Sequence, residues 1–182
     1  MPEELRPSVR CRRCDAEEFT AARACGLYEG ALRAVVLSLK REPFVPPRLA
    51  RMLREAARRA PLDTATLVIP VPLHPARERE RGFNQAALLA SWAAKGVGLR
   101  LDPFSLARVG HSERHRAGMD ARARRESVRE AFNVTRPRLV RGQSVLLVDD
   151  VFTTGATASA CARALLDAGA RAVFVLTAAR AV

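Results

Sequence analysis

The sequence predicts an α/β domain, and three observations carry that reading. Val145–Val148 is an apolar run of the kind that suits a strand buried on both faces. It passes through Asp149 and Asp150 into a small-residue turn, Thr153–Thr157; Ala158, Cys161, Ala162, Leu165 and Leu166 then recur at helical spacing, and Val173–Leu176 is a second apolar run. Upstream, Leu67–Pro72 reads as another strand, followed by a helix-periodic stretch with Leu88, Leu89 and Trp92. A chain of 182 residues suits one domain with a small appendage and can bury a sizeable core.

Taken in order, residues 1–25 are expected to be irregular. Cys11 and Cys14 are spaced C-x-x-C, which lets two thiolates of one turn meet one zinc ion. Structural zinc takes four ligands, Cys25 offers only a third, and no His lies near, so zinc and an unmetallated thiol pair both stand as readings. From Tyr28 to Lys40, Leu32, Val35, Val36 and Leu39 mark one helical face; Pro43, Pro46 and Pro47 interrupt it, and a second helix over about Arg48–Ala60 stops at Pro61. Lys40 either points into a site or serves as the favourable cation at a helix C-terminus.

The prolines at the end of Leu67–Pro72 open a predicted loop, Leu73–Arg81, carrying His74, Arg77, Arg79 and Arg81 with Glu78 and Glu80 between them. In open α/β sheets ligands bind beyond the carboxyl ends of strands, so this loop is expected to face a site. Gly82-Phe83-Asn84-Gln85 starts the next helix, which ends at Gly96. Val97–Val109 is read as holding one short strand, Gly110–Gly118 as a mobile-loop candidate, Asp120–Arg129 as a short polar helix, and Arg136–Gly142 as the lead into the central strand. Gly169 is expected at the C′ position of the last helix, and Cys161 in the core.

The chemistry of Val145–Thr157 follows from its residue types. A Thr/Gly turn entering a helix offers free N–H groups, hydroxyls and the positive end of the helix dipole, which together suit a phosphate monoester. Two adjacent carboxylates at the end of a buried strand suit ribose hydroxyls or magnesium, which wants hard oxygen ligands. The ligand so implied is a ribose 5-phosphate. A receiver domain would place its acid pair near its start, with far more chain to follow than 151–182, and a P-loop would need a Gly-Lys-Ser/Thr ending that does not occur.

These thirteen residues resemble the phosphoribosyl pyrophosphate motif of type I phosphoribosyltransferases. The segment IPVPLHPARERERGFNQAALLA resembles the signature of ComF-type, competence-associated members of that superfamily, most specifically in Arg81-Gly82-Phe83-Asn84-Gln85. Tyr28-Glu29-Gly30, Leu32-Arg33, Leu39-Lys40 and Leu176–Arg180 fit the same family. Arg116 and Ser127 depart from it, standing where Gln and Asn are usual, while Arg124 and Ala131-Phe132 are in place. The resemblance implies a type I phosphoribosyltransferase fold: a mostly parallel central sheet flanked by helices, a flexible hood, and a small irregular N-terminal cysteine segment over 1–27 before a phosphoribosyltransferase-like domain over 28–182. It implies that Thr153, Thr154, Gly155, Ala156 and Thr157 hold the 5′-phosphate. Asp149 and Asp150 hold the diol and stabilise a cationic ring, and Arg79 and Arg81 meet the pyrophosphate. Lys40, Gly82, Asn84 and Gln85 are further motif positions. Magnesium enters with the ligand, and zinc at Cys11 and Cys14 is the second cofactor to consider.

The formal charge is +12, and Arg108–Arg141 holds ten arginines against four acids, a net +6. Such a field attracts polyphosphates or nucleic acid; a solvated helix face is the plain alternative. Aromatic content of 5% leaves no evident stacking platform for single strands. No apolar run is long enough to span a membrane and the first ten residues are polar and charged, so a cytoplasmic protein without membrane insertion is expected. Three functions follow: a phosphoribosyl pyrophosphate-binding protein associated with competence and DNA uptake, an active purine-salvage-type phosphoribosyltransferase, or a non-catalytic single-stranded-DNA-binding uptake factor working with the uptake machinery. His74, His111 and His115 are equal guesses for a general base.

Overall fold

The computed structural model describes residues 17–109 and 131–181. Cys11, Cys14, His111, His115, Arg116, Arg124, Ser127, the loop expected over 110–118 and the helix expected over 120–129 lie outside them. In chain order the elements are β1 (Ala21–Ala24), α1 (Gly30–Ser38), α2 (Pro47–Ala57), a single 3₁₀ turn (Leu62–Thr64), β2 (Leu67–Pro70), α3 (Pro75–Arg81) and α4 (Gln85–Val97). Then come β3 (Arg100–Leu101), β4 (Leu106–Arg108), β5 (Phe132–Val134), α5 (Pro137–Val140), β6 (Ser144–Phe152), α6 (Ala156–Asp167) and β7 (Ala172–Arg180).

Five strands form one parallel sheet in the order β1-β7-β6-β2-β3. Its central strands are apolar over Leu67–Pro70, Val145–Val148 and Val173–Leu176, where both faces are covered. Alternation along β6 sorts its side chains. Leu146 and Val148 join α1, α2 and α4 in one core, while Val145 and Leu147 join Ala158, Cys161 and Leu165 of α6 in the other. Cys161 is fully buried, as expected. The separate antiparallel pair β4–β5 brackets 110–130, which includes the mobile-loop candidate 110–118.

The chain leaves β2 towards β3 in one direction and leaves β6 towards β7 in the other. The order therefore reverses between β2 and β6, and α4 and α6 cover opposite faces. Pro70 stands opposite Val148, and Val148 opposite Leu176, so all three strands end on the same edge. A crevice at such a switch point is where ligands bind in open α/β sheets.

Several local expectations need correction. The segment 1–25 is not irregular throughout: Ala21–Ala24 pairs in parallel with Phe174–Thr177. Its Ala-Ala-Arg-Ala sequence has little strand preference, and the open edge of β7 supplies the pairing. Leu73–Arg81 is mostly helix, not loop. Pro75 opens α3, the His74 ring accepts the Ala76 N–H at 3.2 Å, and Gly82 ends the helix in the left-handed region. With no buried residue α3 lacks the apolar period that announces a helix. Val97–Val109 holds two short strands, and α5 interrupts Arg136–Gly142. The strands themselves run further than their apolar cores: β6 continues through both acids to Phe152 and β7 continues to Arg180.

Helix α4 packs closely on α2 at Gly96. A Cβ there would lie 2.7 Å from Cβ and Cγ of Arg54 and 2.8 Å from its Cα, while Arg58 Nε donates to the Gly96 carbonyl at 2.7 Å. Gly96→Ala is therefore expected to push the two helices apart and cost about 1–3 kcal/mol despite alanine's better helix propensity. A thermal melt checks it, and an unchanged Tm would contradict the contact.

Candidate functional site

Consecutive residues of a strand point to opposite faces, and this divides the acid pair. Asp149 follows Val145 and Leu147 onto the α6 face. Asp150 follows Leu146 and Val148 onto the face of α1 and α4. Two clefts result, one on each side of β6.

The first is lined by Asp149, Val151, Phe152, Thr153, Gly155, Thr157, Ala158 and Thr177. Gly155 precedes α6 with φ of 85°, and no side chain caps the helix there. A Cβ at Gly155 would meet Phe152 Cζ at 3.0 Å and Glu17 Oε1 at 3.3 Å, so the turn requires glycine for both conformation and space. Thr154 Oγ1 accepts only a long, 3.4 Å bond from the Ala156 N–H. The first turn of α6 thus keeps its anion-binding capacity. Of the five residues predicted for a phosphate, Thr153, Gly155 and Thr157 line this cleft, and Thr154 and Ala156 do not.

Asp149 sits half-buried on the floor of the turn, and its carboxyl is raised to about 8. Burial is the main cause, the Asp150 charge adds to it, and the hydrogen bond from the Asp150 N–H at 2.8 Å and the more distant Lys40 offset only part. A carboxyl in that condition gains from any hydroxyl donor or cation brought to it.

Asp150 is buried and engaged. Its Oδ2 accepts from Gln85 Nε2 at 3.2 Å and faces Lys40 Nζ at 3.7 Å; its Oδ1 accepts the Val151 N–H at 2.7 Å. Arg81 in turn donates to Gln85 Oε1. The network Lys40–Asp150–Gln85–Arg81 joins four predicted positions from three parts of the chain. Lys40 and Arg81 also line the second cleft, with Arg41, Arg77 and Glu80. Arg79 is exposed on α3 and does not line it. Asn84 caps α4 through Ala86 N–H at 2.9 Å and donates to the Val71 carbonyl at 3.0 Å, which fixes the helix start to the end of β2. Gly82 supplies the left-handed turn between α3 and α4.

Sequence reasoning left Arg41 and Thr177 out of the site, and named Arg77 only as part of a loop. Arg41 adjoins Lys40, and Thr177 is the lone hydroxyl in an apolar strand, so both left a signal. Cys25 is half-buried and packs against the apolar cluster of α1 and α2, and burial pushes its thiol to about 12. Among the described residues no three His, Cys, Asp or Glu side chains gather for a metal, and no helix is long and apolar enough to cross a membrane.

No protein-family model matches the chain. It is similar to the DNA utilization protein YhgH of Salmonella typhimurium, 33% identical over 178 residues covering 93% of this chain and 77% of that protein. It is also similar to competence protein F of Haemophilus influenzae, 34% identical over 138 residues (73% and 60% of the two chains), and to competence protein ComFC of Bacillus subtilis, 34% identical over 107 residues (59% and 41%). Among solved structures, glutamine phosphoribosylpyrophosphate amidotransferase from B. subtilis, complexed with ADP and GMP, superposes with a TM-score of 0.50. At 22% identity over 71% of this chain that likeness concerns the fold, and this chain spans a quarter of the amidotransferase.

Proposed function

Because the chain belongs to the ComF-type family of competence protein F and DNA utilization protein YhgH, with a type I phosphoribosyltransferase fold, we propose that it binds phosphoribosyl pyrophosphate and serves DNA uptake or use. One observation carries the reading: the cleft where Asp149 and the Thr153–Thr157 turn meet at the carboxyl end of β6, a strand that borders the switch point of the sheet. The turn takes the 5′-phosphate and Asp149 takes a ribose hydroxyl. The cationic cleft across β6 takes the pyrophosphate, with Lys40, Arg41, Arg77 and Arg81 as its cations beside the single acid Glu80. Asp150 keeps Lys40 and Gln85 in register between the two halves.

If the protein is catalytic, a nitrogen nucleophile forms a bond to ribose C1′ while the bond to pyrophosphate oxygen breaks, the nucleophile's proton passing to solvent. Catalysis comes from positioning and charge stabilisation: Asp149 steadies the cationic ring, and the arginines and Lys40 receive the leaving charge. The carboxylates suit magnesium, a hard cation, which would enter with the ligand's diol and pyrophosphate and neutralise part of their charge.

The first test is thermal unfolding with and without magnesium phosphoribosyl pyrophosphate. A ligand of the native state at a hundred times its Kd adds about 2.7 kcal/mol, a clear rise in Tm. No rise would end this reading. A pyrophosphate-release screen across nucleobases and amines then separates enzyme from binding protein. The arginine-rich segment 108–141 favours a second reading, single-stranded DNA binding. That predicts affinity falling steeply with salt; binding that ignores salt would remove it.

A further inference from the structure

Thr177 lies on β7 directly beside Asp149 on β6, on the sheet face shared with α6, and lines the same cleft as the Thr153–Thr157 turn. The residue is 1% exposed, and its Oγ1 is the one buried side-chain oxygen or nitrogen without a hydrogen-bond partner among the described residues. The strand gives no reason for a hydroxyl. Its neighbours Val173–Leu176, Ala178 and Ala179 are apolar and buried, and valine would pack there with the same β-branched shape. An unpaired buried hydroxyl costs free energy that valine would not. Parallel pairing with β1 on one side and β6 on the other, including the Cys25 N–H bond to the Thr177 carbonyl at 3.0 Å, holds the position rigidly.

We propose that Thr177 is a positioning residue for the sugar-phosphate: its buried hydroxyl hydrogen-bonds an oxygen of a ribose 5-phosphate ester held between Asp149 and the Thr153–Thr157 turn. A threonine hydroxyl both donates and accepts, so it pairs with a ribose hydroxyl or an ester oxygen. The cationic cleft lies across β6, so Thr177 acts on the sugar-phosphate half of the ligand and not on the pyrophosphate half. The inference rests on the ribose-phosphate reading of the cleft.

The test compares wild type, Thr177→Val and Thr177→Ser by ligand-free melting and by calorimetric titration with ribose 5-phosphate, magnesium phosphoribosyl pyrophosphate and inorganic pyrophosphate. Thr177→Val is expected to melt higher without ligand, yet to bind both sugar phosphates about tenfold more weakly, with pyrophosphate unaffected. Thr177→Ser restores the sugar-phosphate affinity. Opposite movement of stability and affinity is the signature that a purely structural residue would not give. Wild-type affinity in Thr177→Val, or an equal loss for pyrophosphate, overturns the role of Thr177 and leaves the cleft standing. A wild-type protein that binds neither sugar phosphate overturns both.

Discussion

Asp149→Asn combined with Asp150→Asn is expected to abolish the rise in Tm that magnesium phosphoribosyl pyrophosphate produces in the wild-type protein. The two substitutions act on different sides of the sheet. Asp149→Asn keeps the size of the side chain but removes the carboxyl group that a ribose hydroxyl or a cation would engage and bring to its ionised form in the first cleft. Asp150→Asn removes the ion pair with Lys40 and weakens the bond from Gln85, so the cations of the second cleft lose their anchor. The single variants should therefore differ: Asp149→Asn should weaken ribose 5-phosphate more, and Asp150→Asn should weaken pyrophosphate more. Titration calorimetry with each half-ligand reads this directly. Equal effects on both halves would mean that the acids serve one shared subsite after all. For Asp149→Asn alone, a loss of the thermal response should not come from unfolding, because it replaces a carboxylate whose ionised form burial disfavours with a neutral amide.

The second large effect is on stability against pH. The Asp149 carboxyl lies at about 8 in the folded protein and near 4 in the unfolded chain. Between those values the native state holds a proton that the unfolded state has released, so stability falls as pH rises. The contribution is fully present below about pH 4, is lost progressively up to about pH 8, and then levels off. Melting the ligand-free protein from pH 5 to pH 9 should show Tm declining by several degrees, and Asp149→Asn should flatten that decline. Asp102 does not obscure the window. Burial would raise its carboxyl, but hydrogen bonds from Ser105 Oγ and the Phe104 and Ser105 N–H groups outweigh burial and hold it below the usual range. Its stabilisation is present above the ordinary carboxylate range and is lost only as pH falls through its lowered value. A Tm that rises or stays flat from pH 5 to pH 9 in the wild-type protein would contradict the environment described for Asp149.

Much of this arrangement was legible in the chain. Apolar runs with covered faces announce parallel strands, and the Thr/Gly turn after the acids announces an anion-binding helix start. Local signals failed where partners are distant. Ala21–Ala24 becomes a strand only because β7 has an edge to offer, and α3 has no apolar stripe because it packs nothing inward. Arg79 and Arg81 looked equivalent in a loop. Once the segment coils, Arg81 reaches Gln85 and the cleft, and Arg79 turns to solvent.

By itself the amino-acid sequence determined the α/β class, the main strands and the longer apolar-faced helices, and the residue types suited to a ribose phosphate, because periodicity and turn chemistry are local properties. Only the tertiary structure decided that the two acids serve opposite faces, that Lys40, Gln85 and Arg81 converge on one of them, and that Thr177 stands beside the other. Strand order and register set those neighbours, and both arise from pairing between segments far apart in the chain.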